Sequence, residues 1–433
     1  RDVIQVYDGT VTGELEVLGT HAIQAVDSNT EISTAAPGEI STSSALSNLT
    51  YRVQAGPKVY DPIADTLTPL VEGRYTDPAD APKGYVPLGC PICCRFNARL
   101  VLAGEASAPH VWYASRAGDP TDWDFAASAT DSERAVAGTS TFAGVIAEPI
   151  TALMPAGDDY LYFGCERRLW VLKGDPWMSS GIYPVSREVG VIDRMAWCYT
   201  PDGWIVFVSR DGLYGLPPNA APVPIAADEL PRELDDIDTT RYVVTMAYEP
   251  VRQGIHIVLT PIGEAPARDG YFVDWRTKTI WPQAFDADHR PCQMASFRAS
   301  DRQQSLILAG SDGYLRQFDD QAVDDDGTAI ESHVLIGPVS LGGPEMEAII
   351  ARINAVLAAE SGAVTWEIVT GEYEEAAVEG ATVATGSFVA GWNVPEYPRV
   401  RGAAACIRLS SSDRWALERI VLDIESAGEQ VRL

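Results

Sequence analysis

The side chains with the greatest chemical reach in this chain are its thiols. Cys90-Pro91-Ile92-Cys93-Cys94 contains a C-x-x-C spacing, which can supply half of a tetrahedral zinc site. The sequence holds no second C-x-x-C and no H-x-x-x-H, and its five histidines (His21, His110, His256, His289, His333) stand far apart. The cluster therefore reads as small, buried, apolar cysteines at the start of a sheet. The other cysteines, Cys165, Cys198, Cys292 and Cys406, are scattered, so the seven do not form the dense disulfide framework of a small secreted domain, and a reducing compartment during folding is the simpler expectation. Asp324-Asp325-Asp326 gathers oxygen ligands of the kind hard cations want, but ahead of Gly327 the same run reads as a solvated linker. No G-x-S-x-G elbow, glycine-rich phosphate loop or H-E-x-x-H occurs. Among 61 acidic residues some pair always has a separation suited to glycoside hydrolysis, so abundance nominates none. The expectation is a protein that is not an enzyme, with no catalytic, cofactor-binding or metal-binding residues.

Charge narrows the partners. Asp and Glu total 61 against 32 Lys and Arg, a formal net charge of -29. Only Lys58, Lys83, Lys173 and Lys278 are lysines; the rest of the basic set is Arg, which suits bidentate pairing at interfaces or reflects coding bias. Gripping a phosphate backbone requires cationic neutralisation, so such a field speaks against a nucleic-acid binder while permitting a protein that DNA slides past. Hydrophobic residues at 46% with 21% charged are the composition of a globular chain. No apolar run approaches a bilayer span of about 18 residues, and the expectation is a soluble chain without a signal peptide.

The elements that must position any such residues announce themselves as a repeat. An apolar or aromatic pair, an Asp or Gly turn and a second apolar run recur from Val6, Val59, Val111, Leu169, Gly212, Tyr271 and Gly313, about every fifty residues. A separate apolar strand runs ahead of most of them: ARLVLAG from Ala98, YLYFG from Tyr160, WIVFVS from Trp204, IHIVLT from Ile255 and SLILAG from Ser305. Each unit thus reads as a small antiparallel sheet, and a repeat of this length points to a mainly β fold, a β-propeller of about six to seven irregular blades. Trp112, Trp170, Trp204, Trp275 and Trp281 fall within or beside these phrases, where packing between blades explains them.

Beyond Asp324-Asp325-Asp326-Gly327 the pattern changes to SHVLIGPVSL, VTWEIVTG and a closing strand pair, with EMEAIIARINAVLA between them readable as helix or strands. The expected domains are 1–326, the propeller with N-terminal insertion loops, and 327–433, a C-terminal β-sandwich-like domain. The acidic segments Asp228–Asp238 and Glu372–Glu379 have few basic neighbours and are expected to face solvent or a channel.

RLVLAGEASAPHVWYASRAGDPTDWDF, PITALMPAGDDYLYFGCERRLWVLKGDP and VSREVGVIDRMAWCYTPDGWIVFVSRDGLYGL resemble the tail nozzle or tail-stabilisation (tail tubular protein B-like) proteins of short-tailed bacteriophages, and RVRGAAACIRLSSSDRWALERIVLDIE is similar to their C-terminal portion. The resemblance implies a structural virion protein, assembled in the host cytoplasm as a ring, a hexamer, that meets a head-to-tail adaptor and other tail proteins and lets viral DNA pass without specific binding. It implies no catalytic residues. Two other readings of the propeller remain open at this point: a receptor- or glycan-binding tail protein, and a glycan-cleaving enzyme.

Overall fold

The computed structural model describes residues 3–8, 16–28, 31–34 and 49–54 as backbone, and residues 56–429 apart from 62, 65, 76–80, 140–143, 179, 226–233, 235–236, 264–269, 286–289, 299–303, 320–321, 323 and 342–345. The chain divides into two compact units, Arg1–Phe318 and Asp319–Leu433. Both are mainly β, built from many small antiparallel sheets.

The first unit opens with β1 (Val3–Asp8), β2 (Glu16–Ser28), β3 (Glu31–Thr34) and β4 (Leu49–Gln54), ordered β3-β2-β1-β4, and a hairpin of β5 (Lys58–Asp61) and β6 (Thr66–Pro69). Three- and four-stranded meanders follow, with strands adjacent in space as they are in sequence. They are β7 (Ile92–Phe96), β8 (Arg99–Ala103), β9 (Trp112–Ala114) and β10 (Val136–Ala137); then β11 (Ile150–Ala156), β12 (Tyr160–Cys165), β13 (Leu169–Lys173) and β14 (Gly181–Ser186). Next come β15 (Trp197–Tyr199), β16 (Ile205–Ser209), β17 (Gly212–Leu216) and β18 (Val223–Pro224); then β19 (Tyr242–Glu249), β20 (Gly254–Pro261), β21 (Gly270–Asp274) and β22 (Ile280–Gln283); and last β23 (Pro291–Arg298), β24 (Gln304–Gly310) and β25 (Leu315–Gln317).

Burial explains why the apolar phrases are runs rather than alternations. All five residues of β16 are buried, as are seven of the eight in β20, because both faces of each strand are covered, and a strand covered on both faces needs no polar side. The covers are the neighbouring sheets: one core joins residues of β11 to β13, β15 to β17 and β19 to β21, and another joins β7 to β9 with β11 to β13. First strands pack on the first strands of neighbouring meanders, β7 on β11, β15 on β19 and β19 on β23, and the Met246 amide donates to the Met195 carbonyl at 2.9 Å. The strands predicted ahead of each phrase are β8, β12, β16, β20 and β24. The first strands, β7, β11, β15, β19 and β23, carry no phrase and were not foreseen.

The second unit begins with a hairpin, β26 (Asp324–Asp325) and β27 (Thr328–Ala329), turning at Asp326 (φ 52) and Gly327 (φ 92). The expected acidic linker is thus an ordered two-residue turn, since Asp and Gly tolerate the left-handed backbone such hairpins require. β28 (Ser332–Ser340), β29 (Met346–Leu357), β30 (Val364–Gly371), α1 (Glu374–Glu379), β31 (Thr382–Phe388), β32 (Gly391–Trp392), β33 (Val400–Gly402), β34 (Ala404–Ser411) and β35 (Leu417–Glu429) complete it. One sheet runs β28-β34-β30-β31; the other sets β29 between β35 on one side and β32 and β33 on the other. Ile350, Ile353, Ala355 and Leu357 of β29 share a core with Trp366 and Ile368 of β30 and Ile407 and Leu409 of β34. EMEAIIARINAVLA is therefore one long strand, stabilised by pairing along β35.

Candidate functional site

A groove of about 220 Å³ lies between the β11–β12 hairpin and the adjacent meander, lined by Ala156, Asp159, Tyr160, Tyr162, Gly203, Ile205, Leu216, Pro217, Pro218 and Asn219. Tyr160 and Tyr162 stand two apart on β12, so strand geometry puts both rings on one face. Ile205 and Leu216, 3% and 2% exposed, are apolar lining from β16 and β17. The β15–β16 turn is pinned by Thr200, whose hydroxyl bonds the Asp202 carboxylate and accepts from the Trp204 amide at 3.2 Å. Gly203 in this turn has φ +83, and an added Cβ would reach Pro218 at 3.7 Å, so glycine both permits the turn and keeps the groove open. Tyr199 reaches from β15 to the Pro155 carbonyl, tying the two sheets together beside the groove.

Its electrostatics are spare. Tyr162 is 5% exposed, and burial pushes its phenol up from the ordinary value, with Tyr160 adding to the effect. The Lys173 ammonium lies 5.7 Å from the centroids of both Tyr160 and Tyr183, holding the Tyr160 ring by cation–π attraction. Beyond the Asp202 turn, Trp204 meets Trp275 edge to face at 5.8 Å, and the Trp275 indole donates to Asp202 at 3.3 Å.

Other chemistry-bearing residues are built into the framework. The Arg99 guanidinium, fully buried, donates to the carbonyls of Ser115, Ser132, Glu133 and Arg134 and pairs with Asp175 at 3.4 Å. His256 Nε2 faces Glu249 at 3.4 Å and its Nδ1 faces Gln283 at 2.8 Å, with Phe272 and Phe318 packed against the ring. This trio spans β19, β20 and β22, and no spacing in the sequence announces it. Among the described residues no group of His, Cys, Asp and Glu has the arrangement of a metal site; His289 lies outside them, as does the side chain of His21.

Cys93 is exposed and Cys90 and Cys94 half-buried, a correction to the expectation of three buried thiols, because β7 is an edge strand. Burial pushes the Cys90 and Cys94 thiols up to about 12. The tryptophans also divide differently from expectation. Trp112, Trp123 and Trp366 are fully buried, Trp170, Trp204 and Trp275 only partly, and Trp281 is 57% exposed. Trp204 sits just ahead of β16 and meets Trp275 of the next meander. Of the acidic segments, most of 228–238 lies outside the described residues. Glu372, Glu374, Glu375 and Glu379 are exposed, on and beside α1, which is anchored by Ala377 against Val369, Ala404 and Cys406.

No family model matches this chain, and no curated protein matches it. Among solved structures it is similar to PorZ, a bacterial surface component of the type-IX secretion system of Porphyromonas gingivalis, at 12% identity and TM-score 0.36 over 83% of this chain and 47% of that one. It is also similar to an extracellular domain from B. thetaiotaomicron, at 11% identity and TM-score 0.35 over 65% of this chain and 33% of that one. The chain spans less than half the length of either structure. At this level the likeness carries no argument about function. No helix among the described residues is long and apolar enough to cross a membrane.

Proposed function

We propose that the first unit is a β-propeller and that the chain is a structural subunit of a tailed-phage virion, assembled as a ring through which the genome leaves. The observation that carries this reading is the succession of antiparallel meanders, each repeating the same phrase, whose first strands pack on one another. Blades need such neighbours because one small sheet cannot cover both its own faces. The resemblance of its phrases to those of tail nozzle proteins motivates the virion assignment, and the acidity supports a conduit, since carboxylates facing the lumen repel phosphates and offer DNA no place to stick.

The test is direct. The full chain should form a ring with a central channel, visible by electron microscopy and measurable as a multiple of 46.7 kDa in solution. Mass spectrometry of the particles of the phage encoding it should find the chain in virions. A chain that stays monomeric with and without its adaptor, or that is absent from virions, would overturn the reading.

A further inference from the structure

We propose that the groove between β12 and the β15–β16 and β17–β18 turns binds a neutral sugar ring. This goes beyond the assembly role and does not depend on it. Three polar side chains of the lining have no hydrogen-bond partner among the described residues. Tyr162 is only 5% exposed, yet its hydroxyl bonds no described residue and is not among the polar atoms sealed from solvent, and the residue lines the groove. The Asp159 carboxylate and the Asn219 amide, one on each side, also make no side-chain hydrogen bond among the described residues. The phenol hydroxyl is held in place by its buried ring while still open to solvent, so a ligand hydroxyl can replace the water that bonds it.

The composition of the lining selects the ligand class. Asp159 supplies acceptors only, Asn219 both donors and acceptors, and Tyr162 one of each, a set matched to neighbouring hydroxyls that both donate and accept. Tyr160, Tyr162, Pro217 and Pro218 provide flat apolar surface for the C–H face of a pyranose. The only charged residue of the lining is Asp159, and Lys173 stands behind the Tyr160 ring rather than in the lining, so a phosphate, sulfate or uronate would meet a carboxylate first. A purely apolar ligand would leave all three polar groups unsatisfied. A simple ammonium would satisfy Asp159 but offer nothing for Asn219 or Tyr162 to donate to. The site is also largely formed in advance, because Lys173 holds the Tyr160 ring and Thr200 with Asp202 pins the facing turn, which lowers the ordering cost of binding.

The full chain would be titrated by calorimetry with neutral oligosaccharides of glucose, galactose and N-acetylglucosamine, with oligoglucuronate and putrescine as the charged probes. At least one neutral saccharide should bind saturably. Tyr162→Phe and, separately, Asp159→Asn should each weaken that binding about tenfold, the size of one lost polar contact, with melting unchanged. Asp159 is exposed, so its variant keeps the test valid if Tyr162→Phe perturbs folding. Tyr314→Phe, at the distant β24–β25 turn, should bind as the parent does. Binding of oligoglucuronate or putrescine in place of the neutral sugars, no binding at all, or full affinity in Asp159→Asn would refute the proposal.

Discussion

Trp112 and Trp281 lie in comparable phrases of the repeat, yet one is 1% exposed and the other 57%. Trp112 packs on Phe163 of the neighbouring sheet at 5.5 Å, so Trp112→Ala empties a site shared by two sheets and should cost about 3–5 kcal/mol. Trp281→Ala should stay within about 0.5 kcal/mol of the parent. Denaturant unfolding of the two variants checks both, and equal losses would mean that β22 is covered. The thiols separate in the same way. Cys93 is exposed, whereas burial raises the Cys90 and Cys94 thiols to about 12 and also raises the buried Cys198. Because the thiolate is the nucleophile, iodoacetamide at pH 8 should label native Cys93 first and reach Cys165, Cys198 and Cys406 only after denaturation. Peptide mapping that found Cys198 labelled early would contradict its burial in β15.

At the scale of elements, the β5–β6 hairpin stands out, since all eight of its strand residues are exposed. A two-stranded hairpin is marginal alone, and this one presents Ile63 at 96% and Leu67 at 62% exposure. In a ring, this exposed apolar hairpin is expected to contribute to the contact between copies. Ile63→Asp with Leu67→Asp should therefore shift assemblies toward monomer at unchanged melting temperature, as read by light scattering. Intact rings would assign the contact elsewhere. The β26–β27 hairpin makes a different prediction. Residues 326–331 are exposed and lie just inside the second unit, so limited proteolysis should cut there before it cuts any meander. Early cleavage within β11 to β22 would argue against the shared core.

For the whole molecule, charge is the deciding quantity. Six copies would carry a formal 6 × -29 = -174, and like charges oppose association unless paired or screened. The Debye length shortens from about 10 Å at 0.1 M salt to about 3 Å at 1 M. Assembled rings should accordingly loosen at low ionic strength and tighten as salt rises, which size-exclusion chromatography across a salt series measures. Assembly that weakens with salt would instead show that Arg–carboxylate pairs between copies dominate.

Local pattern was enough to place the strands with the most apolar runs, because a strand covered on both faces is apolar on both, as YLYFG is and as IHIVLT is apart from the hydrogen-bonded His256 and Thr260. It was not enough for the first strands, such as Ile150–Ala156 and Trp197–Tyr199, whose mixed residues gain their meaning only from the neighbouring sheet. EMEAIIARINAVLA was open between helix and strand until its pairing with β35 decided it, since local spacing fits both and only a distant partner can supply the ladder hydrogen bonds. The candidate site shows the same division. The two-residue spacing of Tyr160 and Tyr162 placed both rings on one face of a strand whatever the fold. That Asp159 and Asn219, sixty residues apart in sequence, should flank the Tyr162 hydroxyl depends on the packing of two sheets. Composition and repeat determined a globular, acidic, mainly β chain; burial between sheets, a property of no single segment, decided which of its tryptophans, thiols and tyrosines are framework and which are surface.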